Sequence, residues 1–131
     1  MVAEHPPLIS VVGLRYINRV DIPEPDIRFE DYLTITLGFP AGFPRQVNAF
    51  LDRTDMSYDG EPVRLSFTWA SVEAPPDTTA FILDLDFYFT PETPVDLAAA
   101  RAALEGFKVK EGRAFEGLLQ DRLRRTFREI A

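Results

Sequence analysis

Three stretches in the middle of the chain alternate between hydrophobic and polar residues, a period typical of strands with one buried face. The alternation is clearest over residues 63–72 and 80–89, where nearly every second side chain is large and apolar. An earlier run over residues 47–58 leads into the first of these through Asp59-Gly60, a pair that favours a hairpin turn. The three runs therefore predict an antiparallel meander.

A fourth strand is predicted over residues 8–22, a stretch that has no proline and many β-branched side chains. Arg15 and Arg19 fall on one face of this strand. The other face carries Asn18 among the apolar side chains of Val12, Leu14, Tyr16, Val20 and Ile22. The strand is expected to end at Pro23, because proline is confined to the ends and edges of sheets.

The segment that follows the first strand carries mixed signals. The apolar spacing over residues 29–33 suits a short helical turn, whereas residues 33–37 have strand propensity. We expect the helical turn to form and a loop with two glycines and two prolines to follow over residues 38–44. If Phe39 and Phe43 are exposed in this loop, they form an apolar patch suited to a partner.

After Pro94 the hydrophobic period changes from 2 to about 3.6, which indicates amphipathic helix. Three glycines interrupt this pattern, and each costs about 1 kcal/mol in a helix interior. We therefore expect a break near residues 117–120 and a final helix from about Gln120. The whole pattern predicts an α+β fold, with a mainly antiparallel sheet of about four strands and C-terminal helices packed on one face.

The length and composition are typical of one globular domain over residues 1–131. Hydrophobic residues make up 46% of the chain and charged residues 27%. Residues 1–7 are expected to be flexible, and they lack the basic and apolar segments of a secretory signal. No apolar run reaches the ~18–20 residues of a transmembrane helix, so we expect a cytoplasmic protein without membrane contact.

Several classes of functional site need residue types that the sequence lacks. There is no cysteine, which excludes disulfide scaffolds, thiolate zinc sites and cysteine nucleophiles. The single histidine, His5, would have to serve any Ser-His-Asp triad, and a site with several histidines is impossible within one chain. The sequence implies no cofactor and leans against an enzyme.

Charge is distributed unevenly along the chain, whose net charge is −7. Residues 1–100 hold 6 Lys and Arg against 16 Asp and Glu, a net of −10, whereas residues 101–131 hold 8 against 5, a net of +3. An acidic body repels a phosphate backbone, so a nucleic-acid partner is not expected. Arg122 and Arg125 in the basic C-terminal helix could contact an acidic protein partner, or they could form a solvated helix face.

Asp84 and Asp86 are the sharpest candidates for chemistry. Because they are two residues apart on a strand, their carboxylates point to the same face and can reach one cation. Mg²⁺ and Mn²⁺ prefer such oxygen ligands, although a working metal site would need a third ligand. The alternative is a salt-bridged face, in which Arg15, Arg19 or Arg64 lies across from the aspartates and neutralises them.

Arg15 and Arg19 form a second candidate site. Two arginines on one face of a strand could bind a phosphate or carboxylate ligand through bidentate hydrogen bonds. The structural alternative is a strand whose arginines form ion pairs.

Three motifs, in this order along the chain, resemble the second half of a longer, sporadically distributed family of prokaryotic proteins that has no established activity. The first is Gly-Leu-Arg-Tyr-Ile-Asn-Arg-Val-Asp-Ile-Pro over residues 13–23. The second is Leu-Asp-Leu-Asp over residues 83–86, and the third is Phe115-Glu116 with the helical ending after it. The resemblance implies an α+β fold and a short member, a split gene or an excised domain, but no mechanism.

These observations favour a non-enzymatic interaction or structural module that contacts a protein partner or itself. Two alternatives stay open. One is a divalent-metal-dependent enzyme of the phosphoester class, centred on Asp84 and Asp86. The other is a small-ligand or nucleic-acid sensor that uses Arg15 and Arg19 or the C-terminal arginines.

Overall fold

The four predicted strands form one antiparallel sheet. The structure, a computed structural model, describes residues 8–44 and 46–130. The strands in chain order are β1 (Val12–Ile22), β2 (Leu51–Ser57), β3 (Val63–Val72) and β4 (Thr79–Phe89). Their order across the sheet is β1-β4-β3-β2, so the last three strands form the predicted meander and β1 pairs with the far side of β4.

Two helices follow the sheet. α1 (Leu97–Leu118) begins after Asp96, whose side chain accepts a hydrogen bond from the N–H of Ala99 at 2.9 Å and so caps the first turn. α2 (Asp121–Ile130) begins after a two-residue break, at the position where the glycine pattern predicts one. The α+β architecture expected from the sequence is confirmed.

Both helices pack on one face of the sheet, as the sequence predicts. α1 contacts β1 and β4, and its Phe107 ring stacks on Phe87 of β4 with the ring centroids 6.2 Å apart. Leu123 of α2 is fully buried in the same core. The helix-facing side of β4 forms the centre of this core through Phe81, Leu83, Leu85 and Phe87.

An aromatic cluster extends the core towards the other half of the same face. A 3₁₀ turn over Phe29–Asp31 places the Phe29 ring against Phe50, Trp69 and Phe81, with centroids 5.3 to 5.6 Å apart. These contacts are edge-to-face, a favoured geometry for aromatic pairs. The predicted helical turn is therefore present in shortened form, and it supplies a side chain to the core.

Residues 33–37 do not form a strand, despite their propensity. The chain docks here on the break between the two helices instead. The N–H of Thr34 donates to the Leu118 carbonyl at 2.9 Å, and the N–H of Gln120 donates to the Tyr32 carbonyl at 2.8 Å. Since these bonds satisfy backbone groups at helix ends, they fix the segment without a sheet partner.

The first two strands are shorter than the sequence predicts. β1 starts late because Ile9 exchanges backbone hydrogen bonds with Val95 instead, at 2.8 and 2.9 Å. β2 begins at Leu51 because the N–H of Phe50 donates to the Ser71 hydroxyl at 2.9 Å, in place of the carbonyl that a regular ladder uses.

The start of the chain carries the single histidine. His5 and the other residues of 1–7, which the sequence predicts to be flexible, lie outside the residues that the structure describes. In the described part of the chain, no helix combines the length and the apolar character needed to cross a membrane.

Candidate functional site

The face of the sheet that points away from the helices carries the candidate residues of β1 and β4. The strand register sets two rows of side chains next to each other on this open face. One row is Arg15, Asp86, Ser66 and Asp55, and the next is Ile17, Asp84, Thr68 and Arg53. The register therefore brings Arg15, Asp84 and Asp86 together.

Asp84 forms a bidentate ion pair with Arg15. Arg15 Nε lies 2.9 Å from Asp84 Oδ1, and Arg15 Nη2 lies 2.5 Å from Asp84 Oδ2. Asp84 is 6% exposed at the centre of the sheet, whereas the Arg15 side chain is 56% exposed. The hydrogen bond to Asp84 raises the pKa of the Arg15 guanidinium, so this group stays protonated and neutralises the buried carboxylate.

Polar side chains from β2, β3 and β4 surround this ion pair. They line a shallow depression of about 150 Å³, which is formed by Arg15, Arg53, Ser66, Thr68, Asp84 and Asp86. A hydrogen bond from the Ser66 hydroxyl and the nearby Arg53 lower the pKa of Asp55. Among the described basic side chains, none lies within the 4.0 Å of an ion pair from Asp86.

This arrangement is a poor fit to a divalent metal. A cation between Asp84 and Asp86 would compete with the Arg15 guanidinium, which donates to both carboxylate oxygens of Asp84. Within residues 8–44 and 46–130, no group of three acidic or histidine side chains is placed to hold one ion. Mg²⁺ and Mn²⁺ sites use several oxygen ligands, and the described residues around Asp84 do not supply them. The geometry is that of a salt-bridged sheet face.

We expect no rise in melting temperature when millimolar MgCl₂ or MnCl₂ is added to the protein. A ligand that binds only the folded state raises the midpoint by mass action. The Arg15 guanidinium, which donates to both carboxylate oxygens of Asp84, repels a second cation at this position. Differential scanning fluorimetry measures the midpoint, with Asp84→Asn as the matched control. A rise that appears in the natural protein and is lost in Asp84→Asn would support the metal-dependent alternative instead.

Arg19 does not join Arg15 in a common site. Its Nε lies 3.2 Å from a carboxylate oxygen of Asp21, and its Nη2 donates to the Glu73 carbonyl at 2.9 Å. These contacts tie β1 to the loop that follows β3. The structure thus gives Arg19 a structural role and does not present two arginines that converge on one ligand.

Arg122, at the start of α2, is also held by contacts within the chain. It pairs with Glu24 at 3.3 Å and with Asp31 at 3.6 Å, and its guanidinium lies 4.7 Å from the centre of the Tyr32 ring. Arg125 is exposed on the same helix and lines with it a depression of about 250 Å³. Arg122 therefore ties the start of α2 to two acidic residues of the segment that follows β1.

The contact between Tyr32 and Glu24 predicts a loss of stability in alkaline solution. Burial, together with a hydrogen bond of 2.9 Å from the hydroxyl to Glu24, raises the pKa of Tyr32 above its ordinary value of 10.0. A raised pKa means that the folded state holds this proton more tightly than the unfolded chain. The stabilisation is complete below the unfolded pKa and is lost as the pH rises through the folded pKa.

Thermal unfolding of the natural protein and of Tyr32→Phe across this alkaline range measures the effect. The melting temperature of Tyr32→Phe is expected to fall less steeply with pH. If the melting temperatures of both proteins fall equally steeply with pH, the loss of stability comes from other groups, such as Tyr58, whose pKa is also raised by burial.

The sheet edge formed by β2 is a feature that the sequence pattern does not reveal. All seven residues of β2 are exposed, and β3 is its one neighbour in the described sheet. On the helix-facing side, α1 lies over β1 and β4 and leaves an apolar groove of about 360 Å³ beside β2. Met56, Leu65, Phe67 and Trp69 are among its lining residues. One feature of the sequence does indicate an exposed edge strand: β2 has only two large apolar residues, Leu51 and Met56.

The loop before β2 exposes two phenylalanines. Phe39 and Phe43 are 58% and 57% exposed, and their rings stack with centroids 6.0 Å apart. Phe39 and Phe43 are therefore exposed, and they form the apolar patch that the sequence predicts for that case. Contiguous exposed apolar surface often marks a contact with a partner.

Comparisons with known proteins leave the function to be argued from the geometry of the chain. No protein-family model matches the sequence, and neither a curated protein nor a solved structure matches it. The resemblance to the sporadically distributed prokaryotic family stays a prediction.

Proposed function

We propose that this protein is a non-enzymatic interaction module, which acts in the prokaryotic cytoplasm through protein–protein contacts made by its sheet. The observation that carries the proposal is the exposed strand β2 beside the uncovered apolar groove. An edge strand offers a row of backbone N–H and C=O groups to a further strand. A groove beside that edge can take the side chains of the strand that is added.

The charges of the open face support the same proposal. Asp84 is engaged by Arg15, and Arg19 is engaged by Asp21. A reactive site needs groups held ready for a substrate, whereas opposite charges paired across strands stabilise the sheet. Arg15 and Arg19, the arginines of β1 that an anion sensor would use, are both held in these pairs. The exposed contact surfaces are therefore the better candidates for the site of function.

Site-specific photocrosslinking in the cells that naturally produce the protein tests this proposal. A photoreactive phenylalanine analogue at Met56, which lines the groove, is expected to form covalent adducts with protein. The same analogue at Glu105, whose side chain is 72% exposed on α1, is the matched control and is expected to form none. If both variants fold and neither position gives a protein adduct, the interaction proposal is wrong.

A further inference from the structure

The outer edge of β2 presents a defined set of backbone groups. At the ends of the ladder between β2 and β3, the N–H of Ser71 donates to the Phe50 carbonyl at 3.1 Å, and the N–H of Tyr58 donates to the Val63 carbonyl at 3.4 Å. Residues that bond to one neighbour alternate along an antiparallel strand, so the even-numbered residues of β2 face β3. The N–H and C=O groups of residues 51, 53, 55 and 57 therefore point away from the sheet.

Two of these outward-facing residues carry opposite charges. The side chains of Arg53 and Asp55 are 63% and 60% exposed on the open face of the sheet, and they lie 3.3 Å apart (Nε to Oδ1). Because the two residues are separated by one position, a strand that runs antiparallel along this edge meets a pattern of alternating sign. The strand that fits best has an acidic residue opposite Arg53 and a basic residue opposite Asp55.

A second copy of β2 matches the pattern in one register. Two-fold pairing has to set outward-facing residues against outward-facing residues. An axis at Arg53 sets two arginines against each other, and an axis at Asp55 sets two aspartates against each other. An axis at Thr54 sets Arg53 of each copy against Asp55 of the other and pairs the strand over its full length.

We propose that β2 pairs antiparallel with β2 of a second copy of this chain, around a two-fold axis at Thr54, to form one continuous sheet of eight strands. This inference rests on the proposed function as an interaction module and names its partner. Opposite charges directly across an antiparallel pair are stabilising and like charges are destabilising. The charges therefore select this register over the adjacent ones.

Charged residues on an edge strand also discourage unwanted pairing. In β2, Arg53 and Asp55 lie on the same face. They repel a second β2 strand that pairs around residue 53 or 55, and they attract one that pairs around Thr54. On the groove side, Met56 is 40% exposed and lies opposite Asp52 of the second copy in this register, where it extends the apolar surface across the axis. Asp52 keeps the hydrogen bond that it accepts from Trp69 Nε1 at 3.1 Å.

Disulfide trapping tests the register directly, because the natural chain has no cysteine. In the proposed pairing the two copies of residue 54 lie opposite each other at a non-hydrogen-bonded position, about 4.5 Å apart between Cα atoms, which a disulfide can span. The two copies of residue 56 lie four residues out of register, roughly 14 Å apart. Thr54→Cys is expected to form a disulfide-linked dimer under mild oxidation, seen on a non-reducing denaturing gel. The matched control Met56→Cys is expected to form no disulfide between the two copies, although it keeps the non-covalent dimer.

A charge exchange tests the pairing without a covalent bond. Arg53→Asp and Asp55→Arg each place like charges across the axis, so each variant alone is expected to lose the dimer in sedimentation velocity. Mixed in equal amounts, the two variants again set opposite charges against each other and are expected to form a mixed dimer. The doubly exchanged variant R53D/D55R is expected to dimerise as the natural protein does. Because β2 is exposed along its length, all of these variants are expected to keep the fold, and circular dichroism checks this.

The outcomes separate this inference from the proposed function. A natural protein that stays monomeric, or cysteine variants that crosslink equally at positions 54 and 56, would overturn the self-pairing of β2. If the photoreactive group at Met56 then joins the chain to a different protein, the interaction proposal survives and only the partner is wrong. If it joins nothing, both are wrong.

Discussion

Replacing Phe107 by alanine is expected to lower the free energy of unfolding by about 3–5 kcal/mol. Phe107 is 1% exposed and stacks on Phe87, so its removal leaves a cavity between α1 and the sheet. A loss of this size is a large share of the ~5–15 kcal/mol that stabilises a typical domain. Urea denaturation followed by circular dichroism measures it through the shift of the midpoint at constant slope.

Val109→Ala is the matched control for this substitution. Val109 lies two residues further along α1 and is 56% exposed, so its truncation removes little buried surface. Its effect is expected to stay within about 0.5 kcal/mol, as for most surface substitutions. Similar losses at both positions would contradict the packing of α1 on β1 and β4.

Arg15→Ala is expected to have the second largest effect and to lower the melting temperature by several degrees. Asp84 is 6% exposed, and the loss of Arg15 leaves its carboxylate without the cation that neutralises it. A buried charge that loses its partner is strongly destabilising. The exposed position of Arg15 reduces the effect, because water can reach part of the space that its side chain occupies.

Asp84→Asn and the double variant R15A/D84N complete a cycle that isolates the interaction. Asp84→Asn is expected to cost less than Arg15→Ala, since an exposed guanidinium that loses its partner is hydrated by solvent. The double variant is expected to be more stable than Arg15→Ala alone, because it has no buried charge. If Arg15→Ala is harmless, or if the two substitutions simply add, the ion pair does not contribute to the fold.

Periodicity is the part of the sequence that predicts this fold well. The alternation along β3 and β4 and the change to a helical period after Pro94 yield the sheet, the helices and the break between them. Residues 33–37 also have strand propensity, and the sequence alone leaves them ambiguous. In the structure, the backbone of Tyr32 and Thr34 forms hydrogen bonds to the helix junction instead of a strand ladder. That contact joins residues far apart in the chain, and no local pattern encodes it.

For the candidate site, the sequence predicts the face on which each residue lies but not which residues meet. Alternation places Arg15 on the open face of β1 and Asp84 on the open face of β4, and the sequence raises an ion pair between them as one of two outcomes. Which side chains meet depends on strand register, and hence on the whole hydrophobic pattern of both strands. The position of β2 at the edge depends on the strand order, which alternation within a strand does not specify.

Native mass spectrometry of the untagged protein tests the central claim most directly, because one spectrum reports both the number of chains and any retained ion. The account predicts an assembly at twice the 14.9 kDa of the chain, with no additional mass. A monomer that carries a divalent ion or a small molecule would contradict it. That result would turn attention from the edge of β2 back to Asp84 and Asp86.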